Sequence, residues 1–163
     1  CVSMGGRQMR TDPKFGNVFD HFATRFDYDD GVRVFSNCRQ MSGCATDVSD
    51  NIHGTDGHAF VFKHRIAGKR NWEWDGEGSD MYQNEHNELF AAIRAGEPIN
   101  NGDYMSRSTL MAIMGRMSAY TGKSITWEQA LNSQEVLAPK EYAWGDVDPA
   151  LMQIAKPGVT TFR

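Results

Sequence analysis

Apolar residues recur at every second position early in this chain and at every third or fourth position after residue 81, and that change of period restricts the fold more than any other feature. Over residues 17–28, Val18, Phe22, Phe26 and Tyr28 fall on one side and His21, Ala23, Arg25 and Asp27 on the other, as in a half-buried strand. Adjacent residues of such a strand, Asp20 and His21 included, are expected on opposite faces. Asp29, Asp30 and Gly31 supply a turn, and residues 32–41 resume a strand, so an antiparallel hairpin is expected. A second hairpin is expected from strands at 46–53 and 58–64, joined by Gly54, Thr55, Asp56 and Gly57. Residues 2–9 form a further short strand, broken by Gly5 and Gly6.

Residues 67–80, with Gly68, Gly76, Gly78, Trp72 and Trp74, read as a long irregular loop. From Met81 a helix carries Tyr82, His86, Leu89 and Ile93 on one stripe and stops at Gly96 and Pro98. A second helix over 104–121 turns Leu110, Ile113, Met114, Met117 and Tyr120 to its buried face, with Gly122 at its end. Thr126 and Gln129 make a capping box for a short third helix, and Pro139, Pro149 and Pro157 mark an extended tail. Strands followed by helices specify an α+β fold: an open, mainly antiparallel sheet with helices packed on one face. The expected layout is one domain over 1–163, strand-rich at 1–66, a loop at 67–80, helical at 81–132 and extended at 133–163. On the sheet's other face His21, Arg25, Arg33, Phe35 and Arg39 mix aromatic and basic groups in a way that suits a partner or ligand.

Seventeen Lys and Arg stand against 21 Asp and Glu, a net charge of −4 that disfavours a polyanionic partner, so no nucleic acid is expected despite the basic, Trp-containing run from Lys63 to Trp74. No apolar run is long enough to span a membrane. Cys1, Cys38 and Cys44 form no CxxC pair and are expected as free thiols. His58 and His64 share a face by parity, but six strand residues place them roughly 20 Å apart, too far for one ion, and no metal is expected. With no GxGxxG loop and no GxSxG elbow, the residues do not compose a complete active site.

Taken in order, several segments resemble a known family. Gly5, Gly6, Arg7 and Gln8, then Gly16 to Phe22 (Gly-Asn-Val-Phe-Asp-His-Phe), then Asn37 to Cys44 (Asn-Cys-Arg-Gln-Met-Ser-Gly-Cys) are similar to the C-terminal domain of the Gfo/Idh/MocA oxidoreductases, the glucose-fructose oxidoreductase and inositol dehydrogenase group. The Gly54 to Gly57 turn, residues 82–90 and 92–102, and Ser118 to Trp127 (Ser-Ala-Tyr-Thr-Gly-Lys-Ser-Ile-Thr-Trp) follow in the same order. The resemblance covers nearly the whole chain and is strongest to a bacterial subgroup with sugar-related members, some of them exported.

It implies a two-domain enzyme in which a preceding Rossmann domain binds NAD or NADP, while a domain like this one closes the cleft over a sugar or polyol and forms the oligomer interface. The family's Rossmann glycines, catalytic Lys and Asp and His helix precede the segment matching residues 2–9, so no catalytic or cofactor-binding residue is carried onto this chain, which alone is expected to be inactive. The chain opens on Cys1 rather than an initiator Met and reads as one whose beginning lies elsewhere, which leaves open whether the protein is cytoplasmic or exported to the periplasm. Substrate-contact candidates are Arg39 and Gln40 at a strand end, Asn37 on the face of Arg39, and Tyr82 beside the long loop. The alternatives are a stand-alone self-associating module, or a glycan-binding one that stacks sugars on Trp72 and Trp74.

Overall fold

The alternation around Phe22 and Phe26 is realised as a strand whose even-numbered side chains turn inward. In the computed structural model, which describes residues 1–78, 80–146 and 148–163, that strand (β2, His21–Asp27) lies between β1 (Val2–Gly6) and β3 (Arg33–Arg39) in an antiparallel sheet. The 29–31 turn closes as expected, with the Tyr28 N–H donating to the Val32 carbonyl at 3.0 Å. β2 starts four residues later than the alternation predicts, because Phe19 and Asp20 are both buried ahead of it. A four-stranded antiparallel sheet follows, made of β4 (Asn51–Gly54), β5 (Gly57–Phe60), β6 (Arg65–Gly68) and β7 (Trp72–Glu73) in sequential order. The helices are α1 (Met81–Ala95), α2 (Gly102–Thr121) and α3 (Trp127–Leu131). The fold is thus α+β with open antiparallel sheets, as the change of period requires. Among the described residues no helix is long and apolar enough to cross a membrane.

The chain divides into two compact units, residues 1–43 with 101–163, and residues 44–100. In the first, α2 covers the inward face of β1 and β2. Met114, Met117, Ile125 and Ala130 form the core, flanked by Leu110, Ile113, Trp127 and Phe162, so the stripe expected on α2 is the one that is buried. Where helix meets sheet the polar groups are satisfied: the fully buried Ser118 hydroxyl accepts from the Ser3 N–H at 2.8 Å and donates to the Lys123 carbonyl at 2.6 Å, while the Ser3 and Thr24 hydroxyls bond at 2.6 Å. α3 carries the expected capping box, with the Thr126 Oγ1 accepting from the Gln129 N–H and the Gln129 side chain from the Thr126 N–H. Thr126→Ala is expected to lower stability by about 1 kcal/mol in urea unfolding, and an unchanged midpoint would show that the box contributes nothing.

In the second unit the register lines up Ile52, Ala59, Ile66 and Trp72 across all four strands on one face, with His53, His58, Phe60 and Arg65 on the other. Gly57 faces Gly68, and a β-carbon on Gly68 would lie 2.2 Å from the Asp56 carbonyl oxygen, so β5 and β6 approach more closely than side chains permit. β6 and β7 extend into a stretch predicted to be irregular. α1 begins at Asp80, whose carboxylate accepts from the Tyr82 and Gln83 N–H groups, and ends at Gly96 as predicted. It has no buried residue: the stripe of Tyr82, His86, Leu89 and Ile93 stays exposed.

Candidate functional site

Where β1 ends at Gly6 the chain leaves the sheet, and residues 8–10 turn their backbone N–H groups onto one carboxylate. Asp20 Oδ2 accepts from Gln8, Met9 and Arg10 at 2.8, 2.7 and 2.9 Å. Oδ1 meets His21 Nδ1 at 2.9 Å. Asp20 is held through its main chain as well, its N–H donating to the Gly6 carbonyl and its carbonyl accepting from the Gln40 N–H, both at 2.8 Å. The residue is 3% exposed, and each of its polar atoms has a partner. Arg7 braces the same loop, its guanidinium donating to the carbonyls of Gly16 and Asp12.

Adjacency on a strand predicts opposite faces for Asp20 and His21, and the structure corrects this. Asp20 stands just outside β2, so strand alternation does not direct its side chain, and the Oδ1 edge reaches the imidazole. The signal that sequence reasoning lacked is long-range: nothing local to residue 20 announces that three amides from residues 8–10 will converge on it.

The outward face of the first sheet carries the expected mixed side chains. Register pairs His21 with Arg39, Ala23 with Asn37, Arg25 with Phe35 and Asp27 with Arg33. Asp27 accepts from Arg25 at 3.0 Å and from Arg33 at 3.1 Å, which ties both cations of that end of the face to one carboxylate. The other end carries His21, whose ring Asp20 holds, opposite Arg39, with Asn37 two residues away on β3. Gln40 belongs to it through its backbone, and its carbonyl also accepts from Arg10 Nε at 3.3 Å. Of the four predicted substrate-contact residues, Gln40 donates its N–H to the Asp20 main-chain carbonyl, Arg39 is the register partner of His21, and Asn37 pairs with Ala23 two residues further along the strand. Tyr82 lies in the other unit, exposed in the first turn of α1, where its carbonyl accepts from His86 Nδ1 at 2.7 Å.

In the second unit the imidazoles of His53 and His58 meet edge to face, 4.4 Å between ring centroids, and His64 falls outside the strands in a left-handed conformation. Trp72 and Trp74 are each about half exposed. Shallow grooves flank the 54–57 turn, one along Ile52, Ala59 and Ile66 and the other along His58, Phe60 and Arg65. All three thiols are free.

No protein-family model, curated protein or solved structure matches this chain. Its chemistry has to be read from the side chains, and the most perturbed of them is Asp20. Burial alone pushes that carboxyl up, but the Arg10 amide, the His21 ring and the Met9 and Gln8 amides together outweigh burial and hold the group far below the usual carboxylate range. The folded protein thus binds this proton more weakly than the unfolded chain does. The resulting stabilisation is complete above the unfolded value of about 4 and declines as pH falls below it, towards the depressed folded value. Urea midpoints taken from about pH 6 down to about pH 3 are expected to fall for the native chain and less steeply for Asp20→Asn. Equal slopes would show that the carboxylate is not held in this way.

Proposed function

We propose that the chain is the substrate-facing and subunit-contacting sheet domain of an NAD(P)-dependent oxidoreductase acting on a sugar or polyol. The observation that carries this reading is the strand end where Asp20 holds the His21 ring and the Gln40 backbone, with Arg39 and Asn37 following in register on the outward face of the first sheet. Buried hydrogen bonds fix the backbone there, while its donors and acceptors face outward, the arrangement that orients a hydroxylated ligand. The ordered resemblance to the C-terminal domain of the Gfo/Idh/MocA oxidoreductases supports the same reading, and the α+β fold agrees with it.

The chain's own residues do not fit a dinucleotide. Every strand pairing among the described residues is antiparallel, the sequence has no glycine-rich turn from strand to helix, and the amides opening α1 are already taken by the Asp80 carboxylate, which would repel a pyrophosphate. The reading assigns NAD or NADP to a Rossmann domain preceding this segment in the parent chain and gives this segment no catalytic role of its own.

Self-association is supported by the second unit. Ile52, Ala59, Ile66 and Trp72 form an apolar row across four strands, Ile52 and Trp72 remain more than half exposed, and a row of this kind is characteristic of protein interfaces. The test is to express the chain together with the coding sequence that precedes it and to follow reduction of NAD and NADP over a panel of sugars and polyols. Substrate-dependent reduction is the expected result. A preceding sequence that encodes no nucleotide-binding domain would overturn the proposal.

A further inference from the structure

We propose that His21 is a ligand-contacting residue whose Nε2 accepts a hydrogen bond from a substrate hydroxyl, with Asp20 as its positioning residue. This rests on the reading of the chain as a sugar- or polyol-facing domain and names a contact within it. A carboxylate only accepts, so the 2.9 Å contact with Asp20 Oδ1 places the imidazole proton on Nδ1 and leaves Nε2 with a free lone pair. The carboxylate cannot turn away, because its other oxygen holds three backbone amides and its side chain is fully buried. The imidazole side chain is 33% exposed and lies on the outward face of the sheet.

Two neighbours suit the ring to a hydroxyl. On β1 it lies against Gly6, where a β-carbon would come within 2.9 Å of Cε1 and 3.2 Å of Nε2, so a side chain there would push the ring aside. On β3 it pairs with Arg39, with Asn37 two residues along on the same face, about 7 Å further. A hydroxyl can donate to Nε2 while a neighbouring hydroxyl of the same molecule accepts from Asn37 or Arg39. An anionic group cannot make the first bond, since it brings no proton and meets a carboxylate behind the ring. The group that meets Nε2 is therefore a neutral donor, which under the proposed reading is a hydroxyl of a sugar or polyol.

Histidine nitrogen and side-chain amide resonances of the 163-residue chain test this, recorded above neutral pH with D-glucose and myo-inositol at tens of millimolar as probes. The proposal expects His21 protonated on Nδ1, loss of that preference in Asp20→Asn, and movement of both the His21 Nε2 and the Asn37 amide resonances on adding either probe. His21→Asn, which keeps a donor near the Nδ1 position and removes the Nε2 acceptor, is expected to weaken binding roughly tenfold. His21→Gln, which breaks the Asp20 bond but restores an acceptor near Nε2, is expected to recover most of it. A purely structural role predicts the opposite order in stability and no change in binding.

If His21 carries its proton on Nε2, or if the probes move Asn37 and leave His21 unmoved, the inference falls and the domain reading stands. If no resonance of the chain responds to either probe, the inference falls, and the domain reading is decided by the sequence that precedes the chain and by the wider panel of sugars and polyols. Should His21→Asn not fold, the tautomer and the shifts of the native chain decide the matter alone.

Discussion

Replacing Asp20 with Ala is expected to cost about 3 to 5 kcal/mol, the range found when one partner of a buried, hydrogen-bonded charge is removed. The substitution leaves the Gln8, Met9 and Arg10 amides and His21 Nδ1 without their acceptor at once. Gln8 and Met9 are exposed enough for water to take over part of this role, so the total stays well below the sum of four separate losses. Asp20→Asn keeps the shape and one acceptor oxygen but must turn its NH2 towards either the amides or the imidazole, and is expected to lose about half as much. Urea unfolding followed by tryptophan fluorescence measures both. A loss under about 1 kcal/mol for Asp20→Ala would mean that the loop over residues 7–10 is not organised by this carboxylate.

Ile125→Ala is expected to cost about 3 to 4 kcal/mol. Ile125 is 1% exposed, the largest side chain buried to that degree, and it packs in the core with Met114, Met117 and Ala130. Its backbone is pinned on both sides, the Ile125 N–H donating to the Cys1 carbonyl at 3.0 Å and the Cys1 nitrogen to the Ile125 carbonyl at 2.7 Å. A residue held in this way cannot move inward to fill the space left, which places the loss in the upper half of the usual range. Ile52→Ala, on the exposed row of the second unit, is expected to cost under about 1 kcal/mol in the monomer and to weaken self-association instead. Equal losses at the two positions would put the core in the wrong place.

The periodic elements were legible because local chemistry decides them. Phe22 and Phe26 alternate with charged residues, Asp29 to Gly31 close one hairpin, Met114 and Met117 share one helical face, and Thr126 with Gln129 announces a cap. β6 and β7 were not legible, since strands of four and two residues with Gly68 and one Trp carry too little alternation to register. The α1 stripe was read correctly as apolar, yet Leu89 and Ile93 remain exposed, because burial needs a surface to meet and pattern alone does not supply one. At the candidate site, Asn37, Arg39 and Gln40 were named from their place at a strand end, whereas the buried carboxylate that holds the neighbouring His21 was not singled out. Asp20 becomes special only through amides ten or more residues away.

The central claim is that substrate meets this protein at the strand end beside Asp20. Initial-rate kinetics of the proposed parent oxidoreductase carrying Asn37→Ala or Arg39→Ala test it most directly, with the urea midpoint as a check on folding. The expected result is a KM for the sugar or polyol raised roughly tenfold with an unchanged KM for the dinucleotide. A folded variant of each kind with the native sugar KM would contradict the claim.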